Sequence, residues 1–121
     1  MKQVICLFAV FIGSGLGGVC RWQLSSWLNG SHPWGTLTAN IAGCLLLGFL
    51  SRHIPVNDQF RLLLTTGFCG GFTTFSTFVC ENFFLMNGGQ VLNALLYMAL
   101  SLVLGLLATW CGYNVGEVLR F

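Results

Sequence analysis

The chain has 121 residues, of which 55% are hydrophobic and only 7% charged, with a mean hydropathy of +0.80. Soluble domains usually carry about 25% charged residues, so the composition indicates an integral membrane protein and leaves no length for a soluble catalytic domain. The net charge of +2 comes from scattered basic residues, which argues against a nucleic-acid partner. At about 20 residues per spanning helix, residues 1 to 121 predict a single all-α domain with four transmembrane helices.

The first two predicted spans cover about residues 4 to 28 and 35 to 50. The first is rich in small residues (GSGLGG), which let neighbouring helices approach closely. The second carries Asn40, and an amide inside a membrane either bonds a neighbouring helix or lines a pore. Both interpretations of Asn40 stay open on the sequence alone. Residues 52 to 59 predict a surface loop.

The third predicted span, about residues 60 to 86, is interrupted by the segment GFCGGFTTFSTF. Its glycine pair weakens a helix, so we expect a break between Gly70 and Thr73. Carbonyl oxygens freed there need partners, and they are suitable ligands for a hard cation such as sodium. One chain supplies few such oxygens, whereas two chains related by a twofold axis supply a symmetric set, which favours a dimer.

Hydroxyl and aromatic side chains alternate after the predicted break. Phe75 and Phe78 are three residues apart and share a helix face, and Ser76 and Thr77 lie between them. Each residue alone is a common packing residue. Together they combine hydroxyl donors with ring edges, which carry the positive part of the aromatic quadrupole. The cluster therefore predicts a path for a small anion.

The fourth predicted span, about residues 91 to 115, places Tyr97 and Ser101 four apart on one face. Arg21 and Glu81 are the ionisable residues nearest the membrane interior, where each either extends its charge to the interface or lines a vestibule. The six cysteines lie in apolar stretches without a CxxC pair, so we expect small buried side chains. No HExxH motif and no set of Ser, His and acid is visible, so we predict that the protein is not an enzyme.

Four spans place both termini on the same side of the membrane. That side carries Lys2, Arg52, Arg61 and Arg120, and the opposite side carries only Arg21. Because cytoplasmic loops are enriched in Lys and Arg, we expect both termini in the cytoplasm.

Three stretches together resemble a known family: GLGGVCRW, which ends the glycine-rich part of the first span, GTLTANIAG, and GFCGGFTTFSTF followed by Glu81. In these stretches and in its length, the chain resembles the small bacterial fluoride channels called Fluc or CrcB. The resemblance covers essentially the whole sequence and implies a multi-pass protein of the bacterial inner membrane. It implies passive export of toxic fluoride from the cytoplasm.

The resemblance also implies an assembly and a set of site residues. The family forms antiparallel homodimers with dual topology, two fluoride pores and one structural sodium ion, which the carbonyls of Gly70 and Thr73 would bind here. The remaining implied positions are the pore residues Asn40 (which donates to fluoride), Phe75, Ser76, Thr77, Phe78, Tyr97 and Ser101, and the vestibule residues Arg21 and Glu81.

Two alternatives and one discrepancy accompany the resemblance. A small proton-coupled four-helix drug exporter would place its carboxylate deep in an early helix, whereas Glu81 comes late in the third span. A non-transporting membrane subunit would leave the hydroxyl and phenylalanine cluster unexplained. The uneven Lys and Arg distribution differs from that of dual-topology chains, so a heterodimer with an oppositely oriented paralogue is an alternative to the homodimer.

Overall fold

The computed structural model describes residues 1–54 and 59–119, and within these ranges the regular elements are all helical. Four segments are long and apolar enough to cross a membrane: Lys2–Leu28, Trp34–His53, Gln59–Asn87 and Val91–Val118. The predicted all-α class with four spanning helices is therefore confirmed.

The first two spans are the continuous helices α1 (Lys2–Leu28) and α2 (Trp34–His53). The third span is divided into α3 (Gln59–Leu62), a π-helix (Leu63–Cys69), α4 (Gly70–Phe72) and α5 (Phe75–Asn87). The fourth span is again one helix, α6 (Val91–Val118). A π-helical stretch widens the turn and often accompanies a functional site, so the third span differs in kind from its three neighbours.

The predicted loop of residues 52 to 59 begins too early. Arg52 and His53 are the last residues of α2, because both lie before Ile54, where the backbone becomes extended. Residues 55–58 of that loop lie outside the described residues. Arg120, which contributed to the expected orientation, also lies outside them.

Helix α1 packs closely against the first half of the third span through small residues. A Cβ atom added to Gly13 would lie 2.8 Å from the Cα atom of Gly67, and one added to Gly17 would lie 2.7 Å from the backbone nitrogen of Phe72. A Cβ atom on Gly71 would collide with the carbonyl oxygen of Ser14. The glycines therefore permit backbone contact between two helices, as small residues do in membrane bundles.

Helices α2 and α6 form a second close pair, and glycines again permit the contact. A Cβ atom on Gly112 would lie 2.9 Å from the backbone nitrogen of Phe49, and one on Gly48 would collide with the carbonyl of Thr109. A Cβ atom on Gly116 would lie 2.7 Å from the carbonyl oxygen of Phe49. The bundle thus consists of two tightly packed pairs, and the start of α2 and the broken third span meet between them.

The break in the third span is present, but it lies at Thr73 and Thr74, at the end of the expected range from Gly70 to Thr73. Gly70 and Gly71 stay helical, and the backbone becomes extended at Thr73 (φ −91°, ψ 157°) and Thr74 (φ −152°, ψ 122°). Gly71 is needed at a close helix contact rather than as a hinge. The extended residues are stabilised from outside the span by a side chain of α2.

The expectation that the cysteines are buried is wrong for half of them. Cys69 is buried, and Cys6 and Cys44 are half-buried. Cys20, Cys80 and Cys111 are exposed on the surface of the single chain. An apolar stretch of sequence does not distinguish a core position from one that faces lipid or another chain, because both environments favour small apolar side chains.

Candidate functional site

Asn40 bridges the break from the middle of α2. Its Oδ1 atom accepts a hydrogen bond from the backbone N–H of Thr74 at 2.7 Å, and its Nδ2 atom donates to the carbonyl of Thr74 at 3.1 Å. One side chain thus supplies the acceptor that the Thr74 N–H lost at the break, and it also donates to the Thr74 carbonyl, which begins α5. A primary amide has two N–H groups, so the second stays available to another acceptor. Of the two interpretations of Asn40, hydrogen bonding between spans is present, and the pore role stays a prediction.

The carbonyl groups before the break have different partners. Arg21 donates from Nε to the carbonyl oxygen of Gly71 at 3.1 Å, which ties α1 to the break. Among residues 1–54 and 59–119, none donates a hydrogen bond to the carbonyls of Gly70, Phe72 or Thr73. Unpaired carbonyl groups in a membrane need an external partner. The two predicted sodium ligands, Gly70 and Thr73, therefore have available oxygens.

Two phenylalanine rings follow the break on one face of α5, as the sequence predicted. The ring centroids of Phe75 and Phe78 are 6.2 Å apart with an interplanar angle of 41°. Phe75 is 77% exposed in the single chain, whereas Phe78 is half-buried and packs edge-on against Tyr97 at 5.0 Å. The rings thus connect the outer surface of α5 to the buried side of α6.

Hydroxyl groups line the start of α5 and the facing part of α6. The Thr74 hydroxyl accepts from the backbone N–H of Thr77 at 3.3 Å and donates to the Thr77 hydroxyl at 3.1 Å, so it caps the helix. Ser76 is exposed. The Oγ atom of Ser101 is buried and has no hydrogen-bond partner within the described chain. Ser76 and Ser101 therefore have hydroxyls that can serve another ligand.

Glu81 lies one turn beyond the phenylalanines and is held by uncharged donors. The Thr36 hydroxyl donates to its Oε2 atom at 2.9 Å, and the Tyr97 hydroxyl donates to its Oε1 atom at 3.0 Å. Asn29 Nδ2 lies 3.5 Å from Oε2. The one ion pair within the described ranges joins Arg52 to Glu117, so none of the described basic groups neutralises Glu81. A cavity of about 240 Å³ adjoins Glu81, and its vestibule role stays a prediction.

The structure brings together most of the predicted site and adds two residues that the sequence did not reveal. Thr36 and Asn29 were not identified, although both contact Glu81. Thr36 precedes Asn40 by four residues, so helical spacing alone places both on one face. Asn29 lies in the turn after α1, and only the fold brings it to the third span.

The arrangement can bind a small anion without a fixed positive charge. Hydroxyl groups that already hold a carboxylate have the chemistry to hold a smaller anion, because both are acceptors only. No group of three or more His, Cys, Asp or Glu side chains that could hold a metal occurs among the described residues. A cation would instead require carbonyl oxygens such as those at the break.

Comparisons with known proteins place these features in one family. A family model described as "CrcB-like protein, Camphor Resistance (CrcB)" matches residues 8–113. A protein of Flavobacterium psychrophilum named "Fluoride-specific ion channel FluC" is 40% identical, with 93% of this chain and 98% of that protein covered. Proteins of the same name from Klebsiella pneumoniae and Salmonella arizonae are 46% and 44% identical, with 85% and 86% of this chain and 85% and 91% of theirs covered.

Proposed function

The chain belongs to the CrcB family, and we propose that it is a fluoride-selective channel that passively exports fluoride across the bacterial membrane. Fluoride is assigned as the transported ion on the basis of the family. Proteins named "Fluoride-specific ion channel FluC" are similar to this chain over most of their length. It is a multi-pass membrane protein and not an enzyme. The geometry of the site explains how such a chain handles a strongly hydrated anion.

The observation that supports this function best is the environment of Glu81. A negative oxygen atom lies within hydrogen-bond distance of the Thr36 and Tyr97 hydroxyls, and no described basic group pairs with it. Fluoride entering a pore must exchange its water for such donors, and it must leave them again. Uncharged hydroxyls meet both requirements, because a fixed positive charge would hold the anion too tightly for conduction.

The route from Glu81 to the break follows α5. The Ser76 hydroxyl and the Phe75 ring lie on the exposed surface of α5. On its inner side, Phe78 packs against Tyr97. The free N–H of Asn40 and the unpartnered Ser101 hydroxyl are further donors from α2 and α6. We propose that fluoride passes along this row of donors and ring edges without a coupled proton or nucleotide.

The open side of α5 is consistent with a dimer. Phe75 and Ser76 are exposed, and the carbonyls of Gly70 and Thr73 have no donor in the described chain. Exposed backbone carbonyls cannot be left unpaired in hydrocarbon, which supports coverage by a second subunit. An antiparallel homodimer with two pores satisfies this requirement, and a heterodimer with an oppositely oriented paralogue would do so too.

A structural sodium ion fits the same carbonyls. Sodium prefers oxygen ligands, and two chains would offer the Gly70 and Thr73 oxygens in a symmetric set. Bound there, the ion would neutralise the partial negative charges of these oxygens at the subunit contact. The chain's own contribution is to hold the oxygens in place, through Asn40 on one side of the break and Arg21 on the other.

The proposal is tested by efflux from liposomes that contain the purified protein. We expect rapid fluoride release, measured with a fluoride electrode, with chloride retained and no dependence on a proton gradient. A dependence on the proton gradient would instead indicate an exporter. Well-folded protein that releases no fluoride would overturn the channel assignment.

The same efflux assay, applied to variants of pathway residues, tests the proposed route. Phe75→Ile and Phe78→Ile remove ring edges, and Asn40→Asp removes the amide donors, so each should slow fluoride release by about tenfold or more. Gel filtration should show an unchanged assembly. Normal fluoride release by all three variants would contradict the proposed route.

Alanine substitutions at two adjacent glycines, Gly70 and Gly71, test the proposed sodium site and provide its control. Within its own chain, a Cβ atom on Gly70 would meet only the carbonyl oxygen of Thr65, at an ordinary 3.9 Å. Gly70→Ala should therefore fold normally but impair assembly or sodium dependence. Gly71→Ala, whose Cβ atom would collide with Ser14, should destabilise the chain itself. Full fluoride release in the absence of sodium would argue against the cation.

A further inference from the structure

Asn29 is the residue that ends α1, and its side chain reaches two other elements. Its backbone N–H donates to the carbonyl of Ser25 at 2.9 Å, as expected at a helix end. The side chain extends across the turn toward the start of α2 and toward Glu81. It lies on the wall of the cavity of about 240 Å³ that adjoins Glu81.

The oxygen end of the Asn29 amide caps α2. Oδ1 accepts from the backbone N–H of Gly35 at 2.7 Å and from that of Thr36 at 3.3 Å. The residue before α2 is Pro33, which makes no side-chain cap, so these first-turn N–H groups depend on Asn29. Because two N–H donors require an oxygen acceptor, they fix the orientation of the amide.

The fixed orientation turns the amino end toward the mouth of the pathway. Nδ2 lies 3.5 Å from Glu81 Oε2 and 3.5 Å from the Thr36 hydroxyl oxygen. Thr36 in turn donates to the same Glu81 oxygen at 2.9 Å. At this distance each Asn29 contact is a weak hydrogen bond, but the three groups form a closed triangle.

We propose that Asn29 is a positioning residue of the fluoride pathway, which couples the first turn of α2 to the Glu81 carboxylate. This inference rests on the proposed function. One half of the amide holds the α2 backbone that carries Thr36, and the other half donates to the Thr36 hydroxyl and to Glu81. Asn29 therefore holds the Thr36 hydroxyl, a donor, next to the Glu81 carboxylate, its acceptor.

Asn29→Asp tests the two functions of the amide separately, because it keeps the oxygen acceptor and removes the N–H donor. The new carboxylate still accepts from Gly35 and Thr36, so the cap and the fold are kept, but the donor is lost and a second negative charge faces Glu81. We expect fluoride release to fall about fivefold or more near pH 7.5. As the pH is lowered, release should rise toward that of the wild type, because a proton shared between the two facing carboxylates again offers a donor.

Three controls separate the effect of Asn29 from that of neighbouring titratable groups and of added charge. His32 lines the same cavity and Tyr97 faces Glu81 from α6, so the wild-type protein is measured at each pH as the reference. Protein-free liposomes correct for hydrogen fluoride that crosses the lipid. Asn87→Asp adds the same charge at an exposed position at the end of α5 and should leave fluoride release unchanged.

A double-mutant cycle tests the coupling to Glu81 directly. Combining Asn29→Asp with Glu81→Gln exchanges donor and acceptor, so the pair can hydrogen-bond again. The combined loss should be smaller than the product of the two single losses. Multiplicative losses, a loss in Asn29→Asp that does not change with pH, or normal release by that variant would each overturn the inference. Absence of fluoride release by the wild type would overturn the proposed function instead.

Discussion

Two carboxylates lie near opposite ends of the helix bundle, and their partners differ in kind. Glu117 of α6 forms an ion pair with Arg52 of α2 at 2.9 Å, and these side chains are 52% and 31% exposed. The guanidinium group of Arg52 also donates to the Tyr113 hydroxyl at 2.9 Å. Glu81 is half-buried, and within residues 1–54 and 59–119 the groups that hold it are two hydroxyls and an amide.

The difference supports the proposal that Glu81, and not Glu117, belongs to the transport pathway. A carboxylate paired with arginine is neutralised, and at an exposed position it contributes little beyond joining two helices. A carboxylate held by hydroxyls has no paired cation, and those hydroxyls can also donate to another anion. Glu117 connects α2 with α6, and on the proposed function Glu81 arranges hydroxyl donors at the mouth of the pathway.

The largest effect should come from Glu81→Gln. The side-chain amide presents an N–H₂ group where the carboxylate presents an oxygen, so one of the two hydroxyls must accept instead of donate. Hydrogen bonds to a charged group contribute about 1.5–3 kcal/mol, and we expect fluoride release to fall by about tenfold or more when they are lost. Liposome efflux measures the change, with gel filtration to verify the fold. Release at the wild-type rate would show that the two carboxylates are equivalent.

A smaller effect is expected from Tyr97→Phe. The variant keeps the ring that packs edge-on against Phe78 and removes only the hydroxyl that donates to Glu81. Thr36 and Asn29 still hold the other carboxylate oxygen, so fluoride release should fall about threefold to tenfold. The same efflux assay measures it. A loss as large as that of Glu81→Gln would mean that the Tyr97 hydroxyl has a role beyond holding the carboxylate.

The smallest effect is expected from Glu117→Gln, the matched substitution at the other end of the bundle. Fluoride release should change less than about twofold, and the free energy of unfolding should fall by less than about 1 kcal/mol. Thermal unfolding in detergent at low salt and near 1 M salt measures the second quantity. The stability difference should shrink at high salt, where the Debye length is only about 3 Å. A strong loss of fluoride release would place Glu117 in the pathway.

The local features of the break could be predicted because they depend on neighbours in sequence. Residues three or four apart on a helix meet, so the pairing of Phe75 with Phe78 followed from the spacing. The glycine pair indicated the correct segment, but the glycines stay helical and the extended residues are Thr73 and Thr74. Gly71 serves close packing against Ser14, and this role depends on a helix far away in sequence.

The contacts of Asn29, Thr36 and Arg21 could not be predicted in the same way. Arg21 and Gly71 are 50 positions apart, and Asn29 and Glu81 are 52 apart. Nothing in the turn after α1 indicates which carboxylate its asparagine faces. Likewise, Asn40 was recognised as a membrane amide, but its two bonds to Thr74 required knowledge of where the break meets α2.

The membrane class, the four spans, the break in the third span and the family all followed from the amino-acid sequence, because hydropathy, glycine content and helical spacing are local properties of the chain. The pairing of polar groups across spans depended on the packed bundle instead. In a membrane interior, each freed backbone or carboxylate group must find a partner from another helix. Those partners, Asn40 for Thr74 and Thr36 with Tyr97 for Glu81, are set by how the two helix pairs pack.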